Sequence, residues 1–189
     1  MENAVRLITP HRHGDDRGWF TETYSEPVFS AMGIDCRFVQ DNHSLSSPQY
    51  TLRGLHFQAP PYAQAKLVRC LRGTIFDVAI DLRQSSPSYG QWAGYELSAE
   101  NGRQLFIPIG FAHGFVTLEA DCEVAYKCSA TYSPEHAHGL HWADPDIAIA
   151  WPIPDGLKPI LSERDGRLPP LAELVSPFTY EPTTLAAYS

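Results

Sequence analysis

The chain is short of positive charge. Its 14 lysines and arginines stand against 22 aspartates and glutamates, a net charge of −8. Nucleic acids and anionic membranes are held by clustered cations that release counterions, so neither partner is expected. One phosphorylated small molecule still needs only a few local cations. Cysteine is scarce as well: Cys36, Cys70, Cys122 and Cys128 show no C-x-x-C spacing. No run approaches the ~20 apolar residues of a membrane span. Met1 to Pro10 lacks the apolar centre of a signal peptide. A cytoplasmic setting with reduced, core-packed thiols is therefore expected. Cys122 and Cys128 would share one strand face, too far apart to bridge each other.

Repeats, low-complexity tracts and an interior linker are also absent, as are a Gly-rich phosphate loop, a nucleophile elbow and a catalytic-cysteine context. With 189 residues, 43% of them hydrophobic, the chain can bury one real core. One domain spanning 1–189 is expected. Sixteen prolines and thirteen glycines, spread throughout, break it into short pieces. Short pieces separated by turn signals read as an all-β sandwich or barrel.

Residues 4–9 read as a first strand, His11–Gly18 as a loop and Trp19–Tyr24 as a strand. Ser25-Glu26-Pro27 opens a short helix that Gly33 stops. Arg37–Gln40 reads as a strand leading into Asp41-Asn42-His43-Ser44, a turn-forming run. Lys66–Leu71, Arg72-Gly73 and Thr74–Leu82 read as a hairpin. On its second arm Phe76, Val78, Ile80 and Leu82 share one face, while Ile75, Asp77, Ala79 and Asp81 share a mixed one. Trp92–Leu97 and Gln104–Ile107 read as strands, with another near Val116. In residues 122–132 the face carrying Cys122, Val124, Tyr126, Cys128 and Tyr132 is the buried one, and Lys127 points outward. From Asp144 onward Ile147, Ile149 and Trp151 share a face. The proline-rich remainder wraps the outside, with Leu171–Val175 as a short helix. Together these pieces suggest a jelly roll, or double-stranded β-barrel, with one or two short peripheral helices and a ligand site in its mouth.

Thr51–Lys66 is the stretch richest in chemistry: T-L-R-G-L-H-F-Q-A-P-P-Y-A-Q-A-K. Leu52, Leu55 and Phe57 give it a strand's apolar residues, yet Arg53, His56, Gln58, Gln64 and Lys66 are threaded through it. A strand built only for packing has no use for that set. His56 is a candidate base or a satisfied core histidine. Lys66 is a strand-end lysine that snorkels to solvent, or a cation for an enolate oxygen. His113, in G-F-A-H-G-F, is a turn histidine or a ligand contact. Tyr126 is a core aromatic or a proton donor facing His56 across the cavity. Metal chemistry calls for an H-x-H pair on a strand. The pairs His11/His13 and His136/His138 lie in predicted loops instead, so no metal is expected. Arg53 and His56 differ by three, which on a regular strand points them to opposite faces. If both face a ligand, an irregularity such as a bulge is predicted at Gly54.

Several ordered segments resemble one family. They are D-x-R-G-x-F at Asp15–Phe20, Q-D-N-H-S at Gln40–Ser44, and L-R-G-L-H-F-Q at Leu52–Gln58. A-Q-x-K-L-V-R-C at Ala63–Cys70, F-D-V-A-I-D-L-R at Phe76–Arg83 and I-P-x-G-F-A-H-G-F at Ile107–Phe115 follow. Tyr126-Lys127 and L-S-x-x-D at Leu161–Asp165 complete the set. The pattern is similar to that of the dTDP-4-dehydrorhamnose 3,5-epimerases, enzymes with a cupin-type jelly roll. The resemblance implies His56 as base, Asp165 as its supporting carboxylate, Tyr126 as the opposed acid and Lys66 near the C4 oxygen. It implies substrate contacts at Arg17, Glu22, Gln40, Asn42, Arg53, His113 and Arg164, and thymine stacking at Tyr132. It further implies a dTDP-4-keto-6-deoxy sugar as substrate, no cofactor, and a homodimer whose N-terminal segment reaches the partner's site. Three departures bear on substrate choice. Arg164 replaces a usual lysine, Glu135–Gly139 alters a rim segment, and Thr131 stands where an aromatic is common. A mono-epimerase, a non-catalytic nucleotide-sugar-binding barrel and a metal cupin oxygenase are the alternatives.

Overall fold

A computed structural model describes residues 4–182. In chain order its elements are β1 (Arg6–Ile8), β2 (His13–Asp15), β3 (Gly18–Phe20), α1 (Glu26–Ala31), β4 (Gln40–Ser46), β5 (Leu52–Gln58) and β6 (Lys66–Arg72). They continue with β7 (Thr74–Asp81), β8 (Trp92–Ser98), β9 (Gln104–Ile107), β10 (Phe111–Thr117), β11 (Cys122–Cys128) and β12 (Ala137–Gly139). Two five-stranded antiparallel sheets result, ordered β1-β9-β6-β11-β4 and β12-β5-β10-β7-β8, with β2 and β3 as a separate ribbon. This is the expected jelly roll, with its sheets left open rather than closed into a barrel.

The sheets are held face to face by an apolar interior. Ile75 and Ala79 of β7 and Phe115 of β10 meet Val68 of β6, Leu105 of β9 and Val124 of β11. Each fully buried Val, Leu or Ile side chain is worth about 1.5–3 kcal/mol. The outer face of the second sheet carries Val78, Ile80 and Leu82. The C-terminal segment covers it through Leu140, Ile147 and Phe178, with Ile149 and Trp151 packed alongside. On the first sheet, Phe29 of α1 and Ile34 pack over Leu67 and Phe106. α1 has Ser25 in an extended N-cap conformation, though its side chain makes no cap bond, and ends before Gly33 at φ +73°. The four cysteines are unpaired. Among the described residues no helix is long and apolar enough to cross a membrane.

Several local expectations give way to tertiary pairing. Lys66–Leu82 is not a hairpin: β6 pairs with β11 and β9, whereas β7 pairs with β10 and β8. Arg72-Gly73 is instead a corner at which the chain passes between sheets. The mixed face of β7 therefore points into the interior and its fully apolar face points out. The run Asp41-Asn42-His43-Ser44 is strand, because β4 pairs with β11 along its whole length. Along it Gln40, Asn42 and Ser44 are part-buried while Asp41, His43 and Leu45 are exposed. The expected His11–Gly18 loop contains β2, and β3 stops at Phe20 rather than Tyr24. Of Arg37–Gln40 only Gln40 is strand. Tyr132 lies beyond the end of β11 and is 55% exposed, not inward. Leu171–Glu173 forms a single 3₁₀ turn where a short helix was expected.

The irregularity predicted at Gly54 is present. His113 pairs with His56 and Phe115 with Arg53, so β5 spends one more residue than β10 over that step. Gly54 has φ +128°, and a Cβ there would lie 2.6 Å from the Gly114 Cα. Gly54→Ala is accordingly expected to lower unfolding free energy by about 2–4 kcal/mol, read by chemical denaturation. Wild-type stability in that variant would mean the backbone at this point is not constrained as described.

Candidate active site

The interior between the sheets is apolar along one stretch and polar along another. The polar stretch is a cavity of about 490 Å³ lined by Arg53 and His56 of β5, Lys66 of β6, His113 of β10 and Tyr126 of β11, with Arg164 and Asp165 from the C-terminal segment. A neighbouring cavity of about 290 Å³ shares His56, Lys66, Tyr126 and Arg164. It adds Gln40, Asn42, Gln64, Tyr132 and His138. The two make one cleft, with the titratable groups at the shared boundary.

Asp165 arrives through backbone stitching. Leu52 N donates to Ile160 O and Ile160 N to Tyr50 O, both at 2.9 Å, which lays the C-terminal segment beside the start of β5. A 3₁₀ turn at Asp165–Arg167 follows, with Asp165 N donating to Ser162 Oγ at 3.0 Å. That turn aims the carboxylate at β5. His56 Nε2 lies 2.7 Å from Asp165 Oδ1, and Gly54 N donates to Oδ2 at 3.3 Å. Burial pushes the Asp165 carboxyl up. The His56 hydrogen bond and charge, with the Gly54 and Ser162 bonds, outweigh burial and hold it below its ordinary value. An ionised carboxylate accepts, so Nε2 carries the proton and Nδ1 is the nitrogen left to take one up.

A second histidine–carboxylate pair lies next door. His113 Nε2 stands 2.6 Å from Asp77 Oδ1, both residues buried. Burial lowers the pKa of His113 against the raising effect of Asp77, and the Lys66 and His56 charges lower it further. The ring is thus neutral. Burial likewise lowers the pKa of Lys66, while Cys128 and Asp77 raise it. On the facing wall, burial and then Cys128 raise the pKa of the Tyr126 phenol, with Arg53 acting the other way. Tyr126 therefore stays a proton donor through the neutral range. Arg53 reaches the cavity while its guanidinium donates to Ser46 Oγ and Leu45 O, each at 3.0 Å.

The structure brings together His56, Asp165, Lys66, Tyr126, His113, Arg53 and Arg164, and places Gln40, Asn42 and Tyr132 in the adjoining cavity. It leaves Arg17 and Glu22 outside. Arg17 pairs with Asp15, its side chain 90% exposed, and Glu22 is exposed. His113 sits on a strand, paired with an acid, and not in a turn. Tyr132 meets the cleft from an exposed rim. Arg164 donates to the Ala137 carbonyl at 3.0 Å, which ties the altered rim segment to the site. Two supports have roles that sequence reasoning did not assign, although Gln58 stood in the polar set of Thr51–Lys66. Gln58 is buried and clamps the rim by donating to Thr131 O and Tyr62 O and accepting from Ser133 N. Asp77 was visible only as a polar residue on the mixed face of β7. Among the described residues no three His, Cys, Asp or Glu side chains cluster in a way that could hold a metal ion.

The comparisons with known proteins agree closely. Residues 3–173 match the model of the dTDP-4-dehydrorhamnose 3,5-epimerase family. The dTDP-4-dehydrorhamnose 3,5-epimerase of Sinorhizobium fredii is 53% identical over 176 residues, 93% of this chain and 89% of that one. The chain belongs to that family. Among solved structures, a dTDP-4-dehydrorhamnose 3,5-epimerase from Bacillus anthracis with TDP and PPi bound is 48% identical. It superposes with a TM-score of 0.86 over 90% of this chain and 95% of that one. A dTDP-6-deoxy-D-glucose-3,5-epimerase from Legionella pneumophila in complex with dTDP-4-keto-L-rhamnose is 42% identical. Its TM-score is 0.88 over 94% of each chain. Epimerases are isomerases: they invert a stereocentre with no net oxidation.

The Asp165 carboxyl sets an acid-side prediction. A pKa held below 3.8 in the folded state adds stability above that value, and the stability is lost as pH falls through the lowered folded pKa. Asp165→Asn should flatten the acid limb of a stability–pH curve below about pH 4. An unchanged limb would show that the carboxyl is not stabilised by His56.

Proposed function

We propose that this chain inverts C3 and C5 of dTDP-4-keto-6-deoxy-D-glucose, yielding the 4-keto-L-rhamnose nucleotide on the route to dTDP-L-rhamnose. One observation carries the reading. A histidine–carboxylate base on the second sheet and a part-buried phenol on the first line the same cleft from opposite walls.

The chemistry follows from that opposition. The 4-keto group acidifies the protons on its neighbours, C3 and C5. His56 Nδ1 takes one of them, and the electron pair moves into an enolate on the C4 oxygen. The Lys66 ammonium stabilises that oxyanion. The Tyr126 phenol then returns a proton to the opposite face, which inverts the carbon. His56 is left protonated and Tyr126 ionised, and exchange with water resets both. The second carbon repeats the cycle. No electron leaves the substrate, so the proton inventory closes without a cofactor. Asp165 fixes the imidazole tautomer and supports the imidazolium. Arg53, His113, Gln40, Asn42 and Arg164 hold the sugar and diphosphate, and Tyr132 on the rim stacks on the thymine. One domain carries the whole reaction, in the cytoplasm, where four unpaired thiols stay reduced.

Arg17 and Glu22 find their role in a homodimer. The β2–β3 ribbon exposes Trp19 and Phe20 at 60% and 69%, a large apolar surface for so short an element. Docked on a second copy, it carries Arg17 and Glu22 to that copy's cleft.

In deuterated water the product should gain label at both C3 and C5, read by mass spectrometry and NMR. Label at one carbon only would make the chain a mono-epimerase. His56→Ala and Tyr126→Phe should each lose about 10²–10⁴-fold in kcat. Retained turnover in either would remove the assigned base or acid. For the dimer, Arg17→Ala and His56→Ala homodimers mixed and allowed to exchange should recover about a quarter of wild-type activity, because half the dimers then hold one intact site. No recovery would place Arg17 in its own subunit's site.

A further inference from the structure

Asp77 is a buried acid whose position packing does not explain. It is fully buried on the interior face of β7, beside Ile75 and Ala79 of the apolar core. One carboxylate oxygen is bound by His113. The other, Oδ2, is buried and has no hydrogen-bond partner among the described residues. A carboxylate oxygen left bare in an apolar interior costs about 1–3 kcal/mol. Anchoring the His113 ring takes only one acceptor oxygen and no charge. The anchored ring is itself neutral, so it does not balance the charge.

The cation whose charge Asp77 favours sits on the facing sheet. Lys66 enters the interior from β6, and desolvation there works against its ammonium form. The charges of Asp77 and Cys128 work in its favour. The other charged or titratable groups facing Lys66 are His56 from β5, whose carbonyl lies 3.5 Å from Nζ, His113 from β10, and Tyr126 from β11. Arg53, Arg164 and Asp165 line the same cavity farther out. Asp165 is taken up by His56, and a cysteine is neutral in the ordinary pH range. Asp77 is thus the acid left to face the lysine.

We propose that Asp77 is a positioning residue for the epimerisation: its buried carboxylate keeps Lys66 an ammonium ion and His113 in one tautomer, so that a cation is in place where the enolate oxygen forms. This rests on the reading of Lys66 as the oxyanion's partner. It adds a second carboxylate–histidine pair with a task separate from the first. Asp165 serves the group that removes the proton, and Asp77 serves the group that receives the charge.

The test uses the full-length enzyme with dTDP-4-keto-6-deoxyglucose. Asp77→Asn keeps the shape and a hydrogen bond to His113 but removes the charge. The alkaline limb of its kcat–pH profile should move down by about one to three pH units, with little change in KM. In enzyme labelled with ¹³C at lysine Cε, the Lys66 signal, assigned by its loss in Lys66→Arg, should titrate lower by a matching amount. A guanidinium does not lose its proton in that range. In the Lys66→Arg background Asp77→Asn should therefore leave the limb where it was. An active Asp77→Asn enzyme with an unmoved limb and an unmoved Lys66 midpoint overturns the proposal. Wild-type enzyme without epimerase activity would overturn the functional reading instead, and the Lys66 titration would still decide the part played by Asp77. Should the Asn variant fail to fold, Asp77→Ser is read in the same way.

Discussion

The site depends on the close passage of two backbones. Gly54 of β5 and Gly114 of β10 approach so nearly that a Cβ on either would lie within 3 Å of the other strand's main chain. That contact accommodates one extra residue in β5. The extra residue turns Arg53 onto the wall that already carries His56. Without it, a period of two would send one of them to the outer face, under the C-terminal segment. The same region positions the acid, since Gly54 N donates to Asp165. One backbone irregularity therefore sets the arginine, the histidine and the carboxylate together. Rigid strands on either side hold them there, as a preorganised site requires.

Burial acts on several groups of the polar interior. Burial alone would neutralise Asp165, Lys66 and His113. The protein lets it act on His113, which remains a neutral donor, and on the Tyr126 phenol, which remains protonated. It opposes burial at Asp165 with four hydrogen-bonding and charge contributions, and at Lys66 with neighbouring acids. The result is a histidine beside an ionised carboxylate, an undissociated phenol on the facing sheet, and a lysine whose ammonium form is opposed by burial and favoured by its neighbours.

Much of this was legible in the sequence, and the rest was hidden for identifiable reasons. The jelly roll, the inward face of Cys122–Cys128 and the outward Lys127 follow from period-two alternation, which burial on one face enforces. The demand for an irregularity at Gly54 followed from the three-residue step between Arg53 and His56. Strand pairing partners were not legible. Lys66–Leu82 has a hairpin's local pattern, and only the partners β9, β11, β8 and β10 show that it turns a corner between sheets. Asp41–Ser44 has turn-forming residues that the full-length pairing with β11 overrides. Asp165 lies 109 residues from His56 in the chain, so no local signal joins them. Their meeting depends on two backbone hydrogen bonds at Ile160.

The corner at Arg72-Gly73 gives the misread hairpin its functional weight. A hairpin would have placed β6 and β7 side by side in one sheet, with Lys66 and Asp77 on a shared surface far from the facing wall. Crossing between the sheets instead sets Lys66 of β6 on one sheet and Asp77 of β7 on the interior face of the other. The mixed face of β7, which looked like a half-solvated surface, is then the interior. A charged residue there is tolerable only with a partner across the gap. The topology thus brings the acid on β7 and the lysine on β6 near enough for the Asp77 charge to favour the Lys66 ammonium.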